Sequence, residues 1–164
     1  MSDYRTDATL MSGEREQIEA FVADGRREML DLLDGLNEEQ ARRRLVPSKT
    51  SLLSLVKHAT FVERVWFPVA FEGRTRPELG LPDDVDASFD LDDDDTVESV
   101  RAGYLAAVAD AERIAAGYAL DDAALHNRRS PLSLRWIYLH LVRELARHAG
   151  HGDILREQIL AEDA

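Results

Sequence analysis

The sequence predicts an all-α fold, a single four-helix bundle, and three observations carry that prediction. Apolar residues recur at helical spacing through four long stretches, with almost no period-two alternation. Capping residues open these stretches, and glycine or a loop closes them. At 164 residues the chain fits one domain, 1–164, with a core large enough to need neither disulfides nor a structural metal.

The first helix is expected from about Gly13 to Leu33, with Ile18, Phe21, Val22, Met29, Leu32 and Leu33 inward and Gly35 ending it. Residues 1–12 read as a flexible or loosely packed lead-in. Asn37-Glu38-Glu39-Gln40 is a capping box opening a short helix through Leu45, which Pro47 stops. Ser48 or Thr50 caps the second long helix, whose apolar face is Leu52, Leu55, Val56, Ala59, Val62, Val65, Trp66 and Val69. Pro68 should kink or weaken its last turn, and Gly73 closes it. Arg74 to Asp95 is a long acidic loop, of a length that in compact domains is often functional. Asp95-Thr96-Val97-Glu98 then signals a third helix to about Tyr118, with Val97, Val100, Tyr104, Val108, Ala111 and Ile114 inward. A second loop, Leu120 to Leu132, holds Asn127, Arg128, Arg129 and Ser130-Pro131. Ser133 caps the fourth helix, which runs to about Leu160.

Composition excludes several functions. There is no cysteine, so disulfides, zinc ribbons and a cysteine nucleophile are ruled out, and the expected compartment is the cytoplasm. Met1 to Leu10 resembles neither a signal peptide nor an anchor, and no stretch is long and apolar enough to span a membrane. A net charge of −12 repels phosphate backbones and anionic lipid, which argues against nucleic acid and membranes as partners. Lys49 and Lys57 are the only lysines.

Chemistry concentrates on two helices. The fourth reads SLRWIYLHLVRELARHAGHGDILREQIL, with Leu134, Ile137, Leu141, Leu145 and Leu155 as its apolar stripe. Residues four apart differ by about 40° around a helix and residues seven apart by about 20°. Glu144, His148 and His151 therefore share one face, with His140 one turn earlier. On the second helix His58 replaces an apolar residue in the ladder Leu55, His58, Val62, Val65, Val69. An ionised carboxylate inside a bundle is costly unless paired or metal-bound, and a histidine on either side makes a metal the simplest compensation. His58, Glu144 and His148 give three protein ligands and leave open positions, as in catalytic sites. Taken singly, each has a plainer reading: a satisfied core histidine for His58, a surface ion pair for Glu144 and His148. His151 is open to a proton-handling, substrate-contacting, fourth-ligand or solvent-facing role; His140 is expected in packing or in support of the ligands, and His126 falls in a loop without an assigned role.

Other candidates are weaker. Asp83, Asp84, Asp86, Asp90 and Asp92 to Asp95 lack the glycine-punctuated spacing of a calcium loop and read as a solvated acidic segment. Arg42-Arg43-Arg44 and Arg128-Arg129 could hold an anionic substrate or pair with Asp and Glu. Trp66, Phe67, Trp136 and Tyr138 are expected in the core or at a subunit interface, and aromatics exposed near Trp66 would suit a homodimer.

TSLLSLVKHATFVERVWF and LRWIYLHLVRELARHAGHGDILRE together resemble the DinB-like superfamily of metal-binding four-helix bundles, with DinB/YfiT-like architecture over nearly the whole chain. The nearest likeness is to a mainly actinobacterial branch, and the chain is also similar to mycothiol-dependent maleylpyruvate isomerase. The resemblance implies metal ligands at His58, Glu144 and His148. Many members carry histidine at the middle position; Glu144 departs from that and looks like the isomerase's His-Glu-His set. It further implies a low-molecular-weight thiol, mycothiol or a relative, as cosubstrate, which suits a chain without cysteine. The expected activity is a divalent-metal-dependent transferase or isomerase acting on a small electrophile, with His151 handling a proton. Zinc is the expected ion, with nickel, manganese and iron as alternatives. Hydrolysis by metal-bound water and a non-catalytic metal-stabilised bundle are the competing readings. The DinB name implies no DNA chemistry here.

Overall fold

The computed structural model describes residues 4–129 and 131–163; residues 1–3 of the N-terminal lead-in, Ser130 and Ala164 lie outside the described residues. Its helices are α1 (Glu14–Asp31), the short α2 (Glu38–Arg42), α3 (Leu52–Arg64), α4 (Val97–Ala115) and α5 (Leu134–Glu162). α1 packs mainly on α5 and α3 mainly on α4, with α3 also meeting α5 and α1. The four long helices enclose one core.

Local sequence explains most of the boundaries. Asn37 and Gln40 form the expected reciprocal cap on α2. Thr96 caps α4, exchanging bonds with Ser99, and the Ser133 hydroxyl accepts from the Trp136 N–H at the start of α5. The cap of α3 is neither Ser48 nor Thr50. It is Ser51, whose hydroxyl accepts the Ser54 N–H while the Ser54 hydroxyl accepts the Ser51 N–H. Both serines are buried, so the pair satisfies donors that water cannot reach.

Beyond α3 the chain continues as a π-type turn, Val65–Val69, that contains Pro68. Proline removes one helical donor and its ring collides with the preceding turn, so the helix widens there and carries on. Gly73 then takes φ +71°, the left-handed conformation that ends helices, as does Gly35 after α1.

One inward assignment fails. Phe21 is 56 % exposed, because α1 faces the core with Val22, Gly25, Arg26 and Met29 instead. Gly25 and Gly152 allow close approach: a Cβ at Gly25 would lie 3.1 Å from the Leu145 Cβ, and one at Gly152 only 2.4 Å from a Leu32 methyl.

At the bundle centre Arg26 of α1 meets Glu63 of α3. The Arg26 Nε and Nη2 donate to the two Glu63 oxygens at 2.8 Å each, and Glu63 is 0 % exposed. Tyr104 of α4 is buried beside them, and burial pushes its hydroxyl well above the ordinary tyrosine value. Arg26 occupies the ladder Val22, Arg26, Met29, Leu33, the same signature that marked His58.

Residues 5–8 of the N-terminal lead-in are tied to this core. A 3₁₀ turn, Arg5–Ala8, packs on α1, where the Asp24 carboxylate accepts the Arg5 and Thr6 N–H groups at 2.8 and 3.0 Å. Burial raises the Asp24 pKa, but the two backbone bonds outweigh it and leave the carboxyl below its ordinary value.

The long loop from Arg74 folds back on α3 through its turn Asp86–Phe89. It is not merely solvated. Lys49 pairs with Asp86 and Asp90, Lys57 with Asp92 and Asp95, and Arg42 donates to the Asp92 and Asp95 carbonyls. The loop expected from Leu120 contains a two-rung antiparallel hairpin, β1 (Ala123–Ala124) with β2 (Leu132–Ser133).

Two predictions follow from these buried charges. Glu63→Gln leaves the buried Arg26 guanidinium with only its longer, 3.4 Å contact to the exposed Glu112 and should cost about 3–5 kcal/mol, read from urea unfolding; a loss below about 1 kcal/mol would show the pair to be dispensable. Asp24 has a depressed folded-state pKa, so its contribution is present above the unfolded value of about 4 and disappears as pH falls through the folded one. The stability difference between wild type and Asp24→Asn should therefore be flat above about pH 5 and shrink below about pH 4. A difference independent of pH down to acid unfolding would contradict this.

Candidate metal centre

His58 lies on the core face of α3, 3 % exposed; Glu144 and His148 lie one turn apart on α5 where the two helices meet. One ligand atom from each residue can be chosen so that all three lie within 4.8 Å of one another. Glu144 Oε1 is 3.0 Å from His148 Nε2 and 3.6 Å from His58 Nε2. Two donors each about 2.1 Å from one ion at a tetrahedral angle stand about 3.4 Å apart, so these spacings suit a single ion.

The protonation of His58 sharpens the fit. Its Nδ1 sits 2.7 Å from the Ser88 hydroxyl oxygen, and that hydroxyl donates its only proton to the Val85 carbonyl. Ser88 must therefore accept, and Nδ1 carries the ring proton. In the neutral ring the Nε2 lone pair then points at the Glu144 carboxylate. Burial pushes the His58 pKa down, favouring that neutral ring. Two electron-rich atoms facing each other call for a cation between them. The hydrogen bond from His148 is the main influence holding the Glu144 carboxyl far below the usual carboxylate range, against the opposing effect of burial. The residues present thus fit a divalent ion: one ionised carboxylate, one imidazole locked in the ligating tautomer, and a second imidazole in contact with the same oxygen.

Phe89 lies flat on the His58 ring, with centroids 4.0 Å apart and planes 12° from parallel. The acidic loop thereby supplies both neighbours of His58, Ser88 at its edge and Phe89 on its face. Nothing in the spacing of that loop marked either residue. The signal available was only that Lys49 and Lys57 stand opposite a run of aspartates.

The other histidines separate. His140 packs between indoles, 5.3 Å from Trp136 in parallel and 5.0 Å from Trp66 edge-on. Burial lowers its pKa. His151 is exposed, outside the three-residue cluster, with its ring edge-on to His148 at 5.9 Å. His126 rides on the loop between β1 and β2, and its N–H donates to the Ala70 carbonyl. A Cβ at Gly73 would come within 3.0 Å of its ring. His126 lines a cavity of about 480 Å³ that has His58 and Glu144 in its wall. Of the aromatics, Trp66, Phe67 and Tyr138 are buried and Trp136 is 38 % exposed.

The arginine runs divide as well. Arg43 pairs with Glu39, Glu162 and Asp163, and Arg42 holds the acidic loop. Arg128 and Arg129 line the cavity.

The all-α bundle, with histidine and carboxylate donors meeting between two helices, is consistent with the DinB-like class, to which the family matched here belongs. Residues 17–161 match the family model described as Mycothiol-S-transferase, and the chain belongs to that family. A comparison with curated proteins gave no match. No helix among the described residues is long and apolar enough to cross a membrane.

Partners that orient a ligating histidine typically contribute 10–100-fold to metal affinity. Ser88→Ala should therefore weaken zinc binding by about 10-fold or more, measured by competition with a chelating dye. An unchanged affinity would remove Ser88 from the site.

Proposed function

We propose that the protein is a divalent-metal-dependent transferase or isomerase that uses a low-molecular-weight thiol, mycothiol or a relative, on a small electrophile. The observation that carries this reading is the convergence of His58, Glu144 and His148 donors in a chain of the mycothiol S-transferase family. We assign these three residues as the metal ligands. Zinc is the proposed ion, and nickel, manganese and iron are the alternatives that elemental analysis decides.

A bound divalent ion would supply stabilisation of a thiolate, lowering the pKa of the thiol at neutral pH. The chain's own residues do the rest. Ser88 fixes the His58 ring so that Nε2 faces the centre. Phe89 covers the face of that ring and keeps water from it. Glu144 stays ionised and contributes its negative charge. The cavity walls Phe61, Val65 and Trp66 offer an apolar bed for the electrophile. His151, exposed beside His148, is assigned to take the proton released by the thiol sulfur. With no cysteine in the chain, the nucleophile has to arrive with the cosubstrate. Attack of the thiolate on an electrophilic carbon forms the C–S bond while a leaving group departs with its electron pair, or while a C=C π bond opens and the neighbouring carbon takes the proton from His151. In the addition case, rotation about the new single bond followed by loss of that proton and expulsion of the thiolate gives cis–trans isomerisation.

The same reading treats residues 1–164 as one domain and puts the protein in the cytoplasm, where free thiols are kept reduced. A homodimer is proposed on the strength of Trp136 and Leu139, exposed about one turn apart on α5; Trp66 itself is buried and does not contribute.

The test pairs metal analysis with turnover. Purified wild type should bind about one divalent ion per chain, and His58→Ala should lose most of it. Supplied with mycothiol and a model electrophile, the loaded protein should form the thioether at a rate that disappears in His58→Ala. No thiol-dependent rate above background with zinc, nickel, manganese or iron would overturn the proposal.

A further inference from the structure

The cavity beside the metal centre has a charge character opposite to that of the chain. Acidic residues outnumber Lys and Arg 32 to 20. Elsewhere on the surface Arg15, Arg43, Arg101, Arg113 and Arg135 are each within ion-pair distance of a carboxylate. Arg76, Arg128, Arg129 and Arg143 all line the cavity, and among the described residues none of these four guanidinium groups is in an ion pair. Their contacts are with neutral groups. Arg76 donates to the Pro82 and Asp83 carbonyls and lies over the Phe61 ring at 5.3 Å. Arg128 donates to the Asp83 carbonyl, and Arg143 touches His140. Among the described residues the only carboxylate in the cavity wall is Glu144, which we assign to the metal.

Four guanidinium groups crowd one concavity without a direct ion pair and repel one another, with the Asp83 carboxylate acting on Arg76 only at longer range. Burial and then Arg128 lower the Arg76 pKa against Asp83, and burial, Arg143 and Arg129 lower that of His140 against Glu144. An acidic chain would neutralise such a cluster if nothing else did. Mycothiol carries no carboxylate or phosphate, so the thiol does not account for it. Guanidinium forks match carboxylate and phosphate oxygens in pairs.

We propose that the cavity formed by Arg76, Arg128, Arg129 and Arg143 is an anion subsite, and that the electrophile is a small organic acid bearing carboxylate or phosphate groups. The proposal rests on the thiol-transfer reading for the word electrophile, but the subsite stands on the cavity alone. The β1–β2 hairpin delivers Arg128 and Arg129, the loop after α3 delivers Arg76, and α5 delivers Arg143. An acid held there lies against the wall that contains His58 and Glu144.

Trp66 lines the cavity, so intrinsic tryptophan fluorescence reports occupancy. Succinate, inorganic phosphate and neutral succinamide are titrated into the full-length protein at low salt, with and without added zinc. Saturable binding of succinate or phosphate but not succinamide is expected, and the stronger of the two identifies the charged group. The double variant Arg128→Ala with Arg129→Ala should bind that anion at least about tenfold more weakly. Arg113→Ala, away from the cavity, should match wild type; an unchanged thermal midpoint shows that the double variant is folded. Absence of saturable binding, equal binding of succinamide, or undiminished affinity in the double variant would overturn the subsite. Because the titration is also read without zinc or thiol, failure of thiol turnover would leave this result standing, and the reverse holds too.

Discussion

An ionised carboxylate cannot stay alone inside a helical bundle, because leaving water costs it several kcal/mol. The buried Glu63 and the half-buried Glu144 meet that cost differently, and the contrast separates a structural end of the molecule from a candidate chemical end. Glu63 is matched by Arg26 through two parallel hydrogen bonds. Both of its oxygens are used and its charge is cancelled by a group that never deprotonates, so the pair ties α1 to α3 and leaves nothing to react. Glu144 faces two imidazoles instead. A neutral ring offers a lone pair as readily as a proton, so that compensation is incomplete until a cation joins it. The difference between an inert ion pair and a candidate metal centre is thus the difference between guanidinium and imidazole.

The acidic loop connects surface charge to this centre. A run of aspartates would ordinarily extend by self-repulsion, yet two lysines on the α3 side hold it. Each exposed pair contributes little by itself. Their combined effect is positional: the loop is brought down on α3 so that Ser88 and Phe89 meet His58. Surface electrostatics here serves to set the tautomer and the covering of one buried ring.

The opposite face of the centre is built by different means. The π-type turn at Pro68 carries α3 on to Ala70, whose carbonyl accepts the His126 N–H. That bond and the bare Cα of Gly73 let the hairpin loop lie close to the end of the helix. Arg128 and Arg129 reach the cavity by this route. At physiological salt a charge is screened within about 8 Å, so the arginines at the mouth govern what is felt there more than the net charge of the whole chain does.

Helix number, most caps and the three candidate ligands were legible in the chain because they are local. Spacing along one helix fixes which residues share a face, and a histidine or carboxylate in an apolar ladder stands out against it. The same signal was present at Arg26 and Glu63, but a ladder does not say whether a charged residue will find an ion-pair partner or a metal. The Ser51 cap was hidden because four hydroxyl residues crowd the start of α3, and only burial distinguishes them. Ser88, Phe89 and His126 could not be found at all, since their roles depend on where two loops land, and loop docking is set by contacts between residues far apart in sequence. The sequence alone therefore determined which side chains α3 and α5 present to each other. Tertiary structure decided what surrounds them, because the tautomer of His58, the unpaired state of the cavity arginines and the enclosure of the centre exist only once separate elements meet.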